Sequence, residues 1–226
     1  MAPGKRAPFL LLLVVAFTTF IAPSLPPYAP AGEVLVPAEW RQDHGGPYTI
    51  SVALLVDEEW MARFGLEAER EARAILQRAD SRFRSAGIHL RLALYDSWHS
   101  QDDALSLQRL LAQLTRDSRS IQADVVVALS SGYRGPEGGI AHRHRRHILV
   151  KHHPYRPDRD AFVLAHEIGH ILGLDHHRCP HRYCIMSDHE YDRREHWCPD
   201  HLRLLKANGG YFQYEGSLST SAPSFP

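Results

Sequence analysis

Cysteine is scarce in this chain. Three in 226 residues are too few for a scaffold built on disulfides and too few for an all-cysteine four-ligand metal site. Charge of one sign is lacking as well. The 26 basic and 26 acidic side chains cancel, which argues against nucleic acid as the main partner. No apolar run reaches the roughly 20 residues that a membrane-spanning helix needs. No G-x-S-x-G element occurs, so a serine nucleophile of that type is not suggested. With 44% hydrophobic and 23% charged residues, the chain suits one globular domain with a modest core. Histidine is what it has in excess. Of 16 histidines, thirteen lie between His142 and His201, and histidine is the commonest side-chain metal ligand.

The first residues read as a targeting segment. Lys5 and Arg6 precede the apolar run Phe9 to Ala22, and Ala29-Pro30-Ala31 follows a proline-rich stretch. A basic region, an apolar region and a small-residue exit make an export signal. Residues 1–31 are therefore expected to be removed on export, leaving the cysteines in an oxidising compartment. Residues 32–47 read as a short lead-in, 48–208 as the catalytic domain argued below, and 209–226, rich in Gly, Ser and Pro, as a loose tail.

Between these ends the periodicity alternates. Tyr48 to Val56 is β-branched and apolar, a buried strand. Glu58 to Ala86 carries apolar residues at helical spacing, with Gly65 breaking off a first short helix and Gly87 as its C-cap. Ile88 to Tyr95 alternates as a strand. A second helix is predicted from Asp102 or Asp103 to about Asp117, striped by leucines. Ala123 to Leu129 reads as a buried strand, and two short extended pieces follow near Ile140 and at Ile148 to Lys151. A third helix starts at Asp158 or Asp160 and ends at Gly173. A last helix covers Pro199 to Ala207. This order predicts an α/β fold: a twisted, mostly parallel five-stranded sheet with helices packed on it and an antiparallel edge strand.

Residues 166 to 176 read HEIGHILGLDH. His166 and His170 are four apart, so on a helix both imidazoles leave the same face and can share one ion. Glu167 can reach a water on that ion without ligating it. Gly173 stands where the helix must end for the backbone to turn back, and His176 then returns as a third nitrogen ligand. Three protein ligands leave one position for water, the mark of a catalytic zinc site. The H-E-x-x-H pattern by itself arises easily in so histidine-rich a sequence. The added Gly173 and His176 make the pattern specific. Beyond it stands Cys184-Ile185-Met186-Ser187, with Met186, ten residues past His176, placed as a Met-turn, a tight loop packed under the ligands.

On these motifs the chain resembles the metzincin zinc endopeptidases, and among them the adamalysin (reprolysin) group. The resemblance extends over about residues 47–208. It implies a zinc endopeptidase in which His166, His170 and His176 hold one catalytic Zn2+, Glu167 serves as general base and acid, and Met186 is structural. It further implies that Gly139, Ile140 and Ala141 form the edge strand on which an extended peptide lies. The partner expected is a peptide or protein substrate, met by a secreted monomer with no nucleic acid and no stable membrane span once the signal is removed. Departures are visible. His177 stands where adamalysins carry Asp, no cysteine upstream pairs with Cys198, and Asp188 replaces the Tyr that astacins place after the Met-turn. With no cysteine before Cys179, a propeptide cysteine ligating the zinc is not expected.

Two questions stay open at this point. Cys179 and Cys184 flank a four-residue loop, and export favours a disulfide between them. The other reading is similar to archaemetzincins: a second, closed zinc site from Cys179, Cys184, Cys198 and His201. The disulfide is favoured. A different function, zinc buffering without catalysis, rests on His142, His144, His147, His152 and His153, whose spacing fixes no metal geometry. The other reading of these five is a solvated basic loop shared with Arg143, Arg145 and Arg146.

Overall fold

Strand β1, Tyr48–Val56, sends alternate residues to opposite faces of a sheet. Ile50, Val52, Leu54 and Val56 join one apolar cluster, while Ala53 and Leu55 join another. The sheet is therefore covered by helices on both faces, as its near-continuous apolar strands require. The protein is described from a computed structural model over residues 48–101, 106–176, 184–187 and 196–208. The expected signal, lead-in and tail lie outside these residues, as does Cys179.

Asp57, fully buried, caps α1 (Glu58–Phe64) by accepting from Trp60 N at 2.8 Å. A turn of 3-10 helix leads into α2, Ala68–Phe83. Its buried stripe is Ala68, Ala72, Ile75, Leu76, Ala79 and Phe83, the spacing of one helix face. Strand β2, Ile88–Ser97, runs parallel to β1. Helix α3, Leu107–Asp117, buries Leu107, Leu110, Leu111 and Leu114 on the opposite face of the sheet. Each such leucine contributes about 1.5–3 kcal/mol relative to exposure. The start of α3 corrects the expectation at Asp102 or Asp103, which fall outside the described residues. Ser106 is the cap, its Oγ accepting from Arg109 N at 3.4 Å.

Three further strands complete the sheet: β3 (Val125–Ser130), β4 (Gly139–His142) and β5 (His147–Lys151). The order is β2-β1-β3-β5-β4, parallel except for β4, which lies antiparallel to β5 at the edge. This is the expected five-stranded α/β architecture. Helix α4 (Pro157–Ile171) packs on α2 and beside β4 and β5, and α5 (Pro199–Asn208) closes the same side. At the start of α4, buried Asp160 accepts from His152 Nδ1 at 2.6 Å and from His153 Nδ1 at 2.9 Å. Two histidines of the 142–153 cluster are thereby committed to holding the β5–α4 loop.

Candidate metal centre

Helix α4 is amphipathic, with Phe162, Leu164, Ala165 and Ile168 in the core. His166 and His170, one turn apart, leave its other side together. The helix ends at Leu172, and Gly173 turns the backbone at φ 84°, a conformation that glycine adopts without strain. His176 then folds back over the helix. Its Nε2 lies 2.7 Å from His166 Nε2 and 3.1 Å from His170 Nε2. Tetrahedral Zn–N bonds of about 2.0–2.1 Å place ligand nitrogens about 3.3 Å apart. The three rings therefore converge on a point that fits a zinc ion.

The outer nitrogens select the ligating tautomer. His166 Nδ1 donates to the Ile185 carbonyl at 2.8 Å, and His170 Nδ1 donates to the Leu174 carbonyl at 2.9 Å. A carbonyl cannot donate, so each Nδ1 carries the hydrogen and each Nε2 presents a lone pair inward. Burial also lowers the pKa of His170, favouring its neutral form.

Glu167 follows the first ligand and is nearly buried. Desolvation raises its carboxyl pKa to about 8. Beside it runs β4. At Gly139 a Cβ would stand 2.5 Å from Val163 Cγ1 and 3.3 Å from Glu167 Cγ, so only glycine lets the edge strand come this close to α4. Lys151 N donates to Gly138 O at 2.8 Å. Antiparallel pairs alternate between bonded and unbonded. In the register Gly139↔Val150, Ile140↔Leu149, Ala141↔Ile148, Ile140 bonds β5. Gly139 and Ala141 consequently turn their N–H and C=O groups to the open edge.

Beneath the histidines, Ser187 N donates to Cys184 O at 3.0 Å, closing a turn around the buried Ile185 and Met186. Met186 Sδ lies 2.8 Å from where a Cβ on Gly169 would stand, so the methionine packs directly against α4. The expected partner Cys179 lies outside the described residues; Cys184 is a free, fully buried thiol. Its Sγ points inward, 3.1 Å from His201 Nδ1, with Cys198 Sγ 3.3 Å from the same nitrogen. Burial pushes the Cys184 thiol up to about 12. The three donors lie within 4.8 Å of one another. They form a second group of metal-ligand type besides the three histidines.

Arg143 is the residue that sequence reasoning misses. In the sequence it is one of several arginines in a solvated basic run. Its Nη2 instead donates to Leu174 O at 2.5 Å and pairs with the Asp175 carboxylate, whose pKa that bond lowers. It thus ties the end of β4 to the turn carrying His176. Only a spatial contact 31 residues away reveals this. Among the described residues, His142, His144, His147, His152 and His153 form no further group of metal-ligand type.

The sequence from residue 46 to 211 matches the model of metallo-peptidase family M12, the reprolysin type. The chain belongs to this family. Among characterised proteins it is similar to snake venom metalloproteinase H5 of Deinagkistrodon acutus, at 22% identity over 61% of this chain and 39% of that protein. It is similar also to a disintegrin and metalloproteinase with thrombospondin motifs 14 of Homo sapiens, at 29% identity over 64% of this chain and 14% of that protein. The match thus spans well under half the length of either relative. Its fold is that of the archaemetzincin of Methanopyrus kandleri, with a TM-score of 0.53 over 71% of this chain and 95% of that one, at 21% identity.

Proposed function

We propose that this protein is an exported zinc endopeptidase. The observation that carries the reading is the convergence of three Nε2 atoms with Glu167 alongside. His166, His170 and His176 would hold the ion, the first two in the neutral tautomer already described. Bound there, zinc supplies Lewis acidity, lowering the pKa of a water and polarising a carbonyl oxygen. Glu167 takes the proton from that water and returns it to the leaving amine. Burial raises its pKa, and a bound zinc would lower it, bringing the carboxyl toward the range where it can do both. The outward-facing groups of Gly139 and Ala141 pair with an extended peptide as an added strand. No covalent intermediate with the protein is required.

Export is supported by the basic-then-apolar pattern of residues 5–22, and among the described residues no helix is long and apolar enough to cross a membrane. A zinc-buffering role is less well supported, because a storage site gains nothing from a carboxylate at the position of Glu167. The protein's substrates are peptides or proteins.

A second metal, structural in kind, is favoured by one observation: Cys184, Cys198 and His201 converge in a buried pocket. Tetrahedral Zn–S and Zn–N bonds place sulfur and nitrogen about 3.5 Å apart, close to the spacings found. Cys179, outside the described residues, is the fourth ligand in the alternative reading of the sequence.

The test is a peptide-library digest with paired metal analysis. Glu167→Ala should abolish turnover while keeping the catalytic zinc, and His170→Ala should lose both. Wild-type cleavage by Glu167→Ala would refute the mechanism.

A further inference from the structure

The run His142–His147 is only partly absorbed by the metal centre. Arg143 serves the third-ligand turn, but the side chains beyond it line a cleft of about 1650 Å³ on the far side of that turn. The cleft lies between this run, the end of α3 and the last turn of α4. Arg119, His144, Arg145 and Arg146 all face it. Arg119 and Arg145 form no ion pair among the described residues. The acidic side chain in the wall is Asp124, and its Oδ2 is occupied by Ser51 N at 2.8 Å and Ser51 Oγ at 2.6 Å.

The wall is built rather than a loose solvated loop. Arg146 holds φ 55°, costly for a residue with a Cβ. That conformation is fixed by backbone bonds on both sides: Arg146 N to Arg143 O at 3.2 Å, and Val126 N to Arg146 O at 2.9 Å. Buried His147 anchors the floor, with Nε2 2.9 Å from Ser118 Oγ and Nδ1 on the Arg145 carbonyl. Its ring nitrogens are used, and guanidinium groups have no lone pair for a metal. Among the described residues the cleft gathers no group of metal-ligand type.

We propose that this cleft is an anion site, taking a molecule that carries several sulfate or phosphate ester groups. Guanidinium forks match the planar faces of such oxyanions bidentately, and several cations converging in a recess favour a multivalent ligand over a single ion. The volume of about 1650 Å³ leaves room for such groups borne on a sugar or another compact polyol. Carboxylate-rich peptides present weaker, more dispersed charge.

The experiment uses the full zinc-loaded protein. Sucrose octasulfate, which does not strip zinc, is titrated at low ionic strength by calorimetry, with inorganic pyrophosphate and a long heparin polymer in parallel. Saturable binding to the wild type is expected, weakening with added salt. Arg119→Ala/Arg145→Ala should weaken it about tenfold or more, with zinc content and peptide turnover unchanged. Arg63→Ala/Arg203→Ala, with the same change in net charge elsewhere, should bind as wild type. Tighter binding of heparin would place the ester on a polysaccharide. Equal binding of the octasulfate and pyrophosphate would place it on a small molecule. Either result supports the site. No binding to the wild type, equal weakening in both double variants, or binding abolished by chelating the zinc would overturn it.

Discussion

Arg143 lies on no metal, yet the third ligand depends on it. The carbonyl of Leu174 accepts from both His170 Nδ1 and Arg143 Nη2. One atom therefore positions two ligands, His170 directly and His176 through the turn. Outer partners of this kind are worth 10–100-fold in metal affinity. Arg143→Leu should weaken zinc binding about tenfold in a competition against a chelating dye, while thermal unfolding of the zinc-free protein stays near that of the wild type. Unchanged affinity would show that the turn holds His176 unaided. Glu167 allows a pH test on the zinc-free protein. An unfolded glutamate ionises near pH 4.3, whereas burial keeps the folded one protonated to about 8. Between those values the folded state carries the extra proton. Its unfolding free energy must fall as pH rises through that window, then level off. Glu167→Gln cannot ionise. Its stability advantage over the wild type should grow from near zero at pH 4 to about 3–5 kcal/mol at pH 9, read by urea unfolding of the chelated proteins. A gap independent of pH would show that the carboxyl is solvated.

At the scale of elements, β4 is short and half-buried, and its worth lies in the direction of its backbone. Because Ala141 turns its N–H outward, Ala141→Pro removes a donor from the open edge and leaves the bonds between Ile140 and Leu149 in place. The variant should fold and keep its zinc, and kcat/KM on long peptides should fall about tenfold, roughly the worth of one backbone bond. Dipeptide-like substrates should be affected less. Equal kinetics on long peptides would remove β4 from the binding surface. Much of this architecture is legible in the sequence, because the period changes cleanly: two for Ile88–Ser97, 3.6 for Ala68–Phe83, and continuous apolarity for the central β1 and β3. The H-E-x-x-H spacing likewise fixes two ligands on one helix face by geometry alone. What is not legible depends on how distant segments close on one another. Arg143 looks like any member of a basic run until β4 is laid beside the His176 turn. The Cys179–Cys184 expectation rests on sequence proximity. The Cys184 side chain instead faces α5, which brings Cys198 and His201 to it from 14 and 17 residues away.

For the whole molecule, the two groups of metal-ligand type differ in what they hold together. The histidine site spans one helix and the turn after it, and three ligands there would leave a zinc ion one position for water. The cysteine–histidine group joins the Met-turn loop to α5, beside the short bridge of Cys184 with His196. In its own right that group is buried, and a thiol held near 12 by burial ionises near neutrality only when a metal replaces its proton. Occupancy of the two should consequently uncouple activity from stability. A mild chelator removes the exposed histidine-bound zinc first, abolishing hydrolysis with only a small change in Tm. A strong chelator that also reaches the cysteines should lower Tm by about ten degrees or more, since for a domain of this size each kcal/mol is about 2–4 °C and a structural zinc supplies several. Cys198→Ser should reproduce the second effect without chelator, with metal content falling from two zincs per protein molecule to one. Metal analysis giving one zinc per molecule in the wild type, with Cys184 and Cys198 both titrating as free thiols after denaturation without chelator, would leave the three side chains as ordinary core and assign the stability to packing of α5 alone.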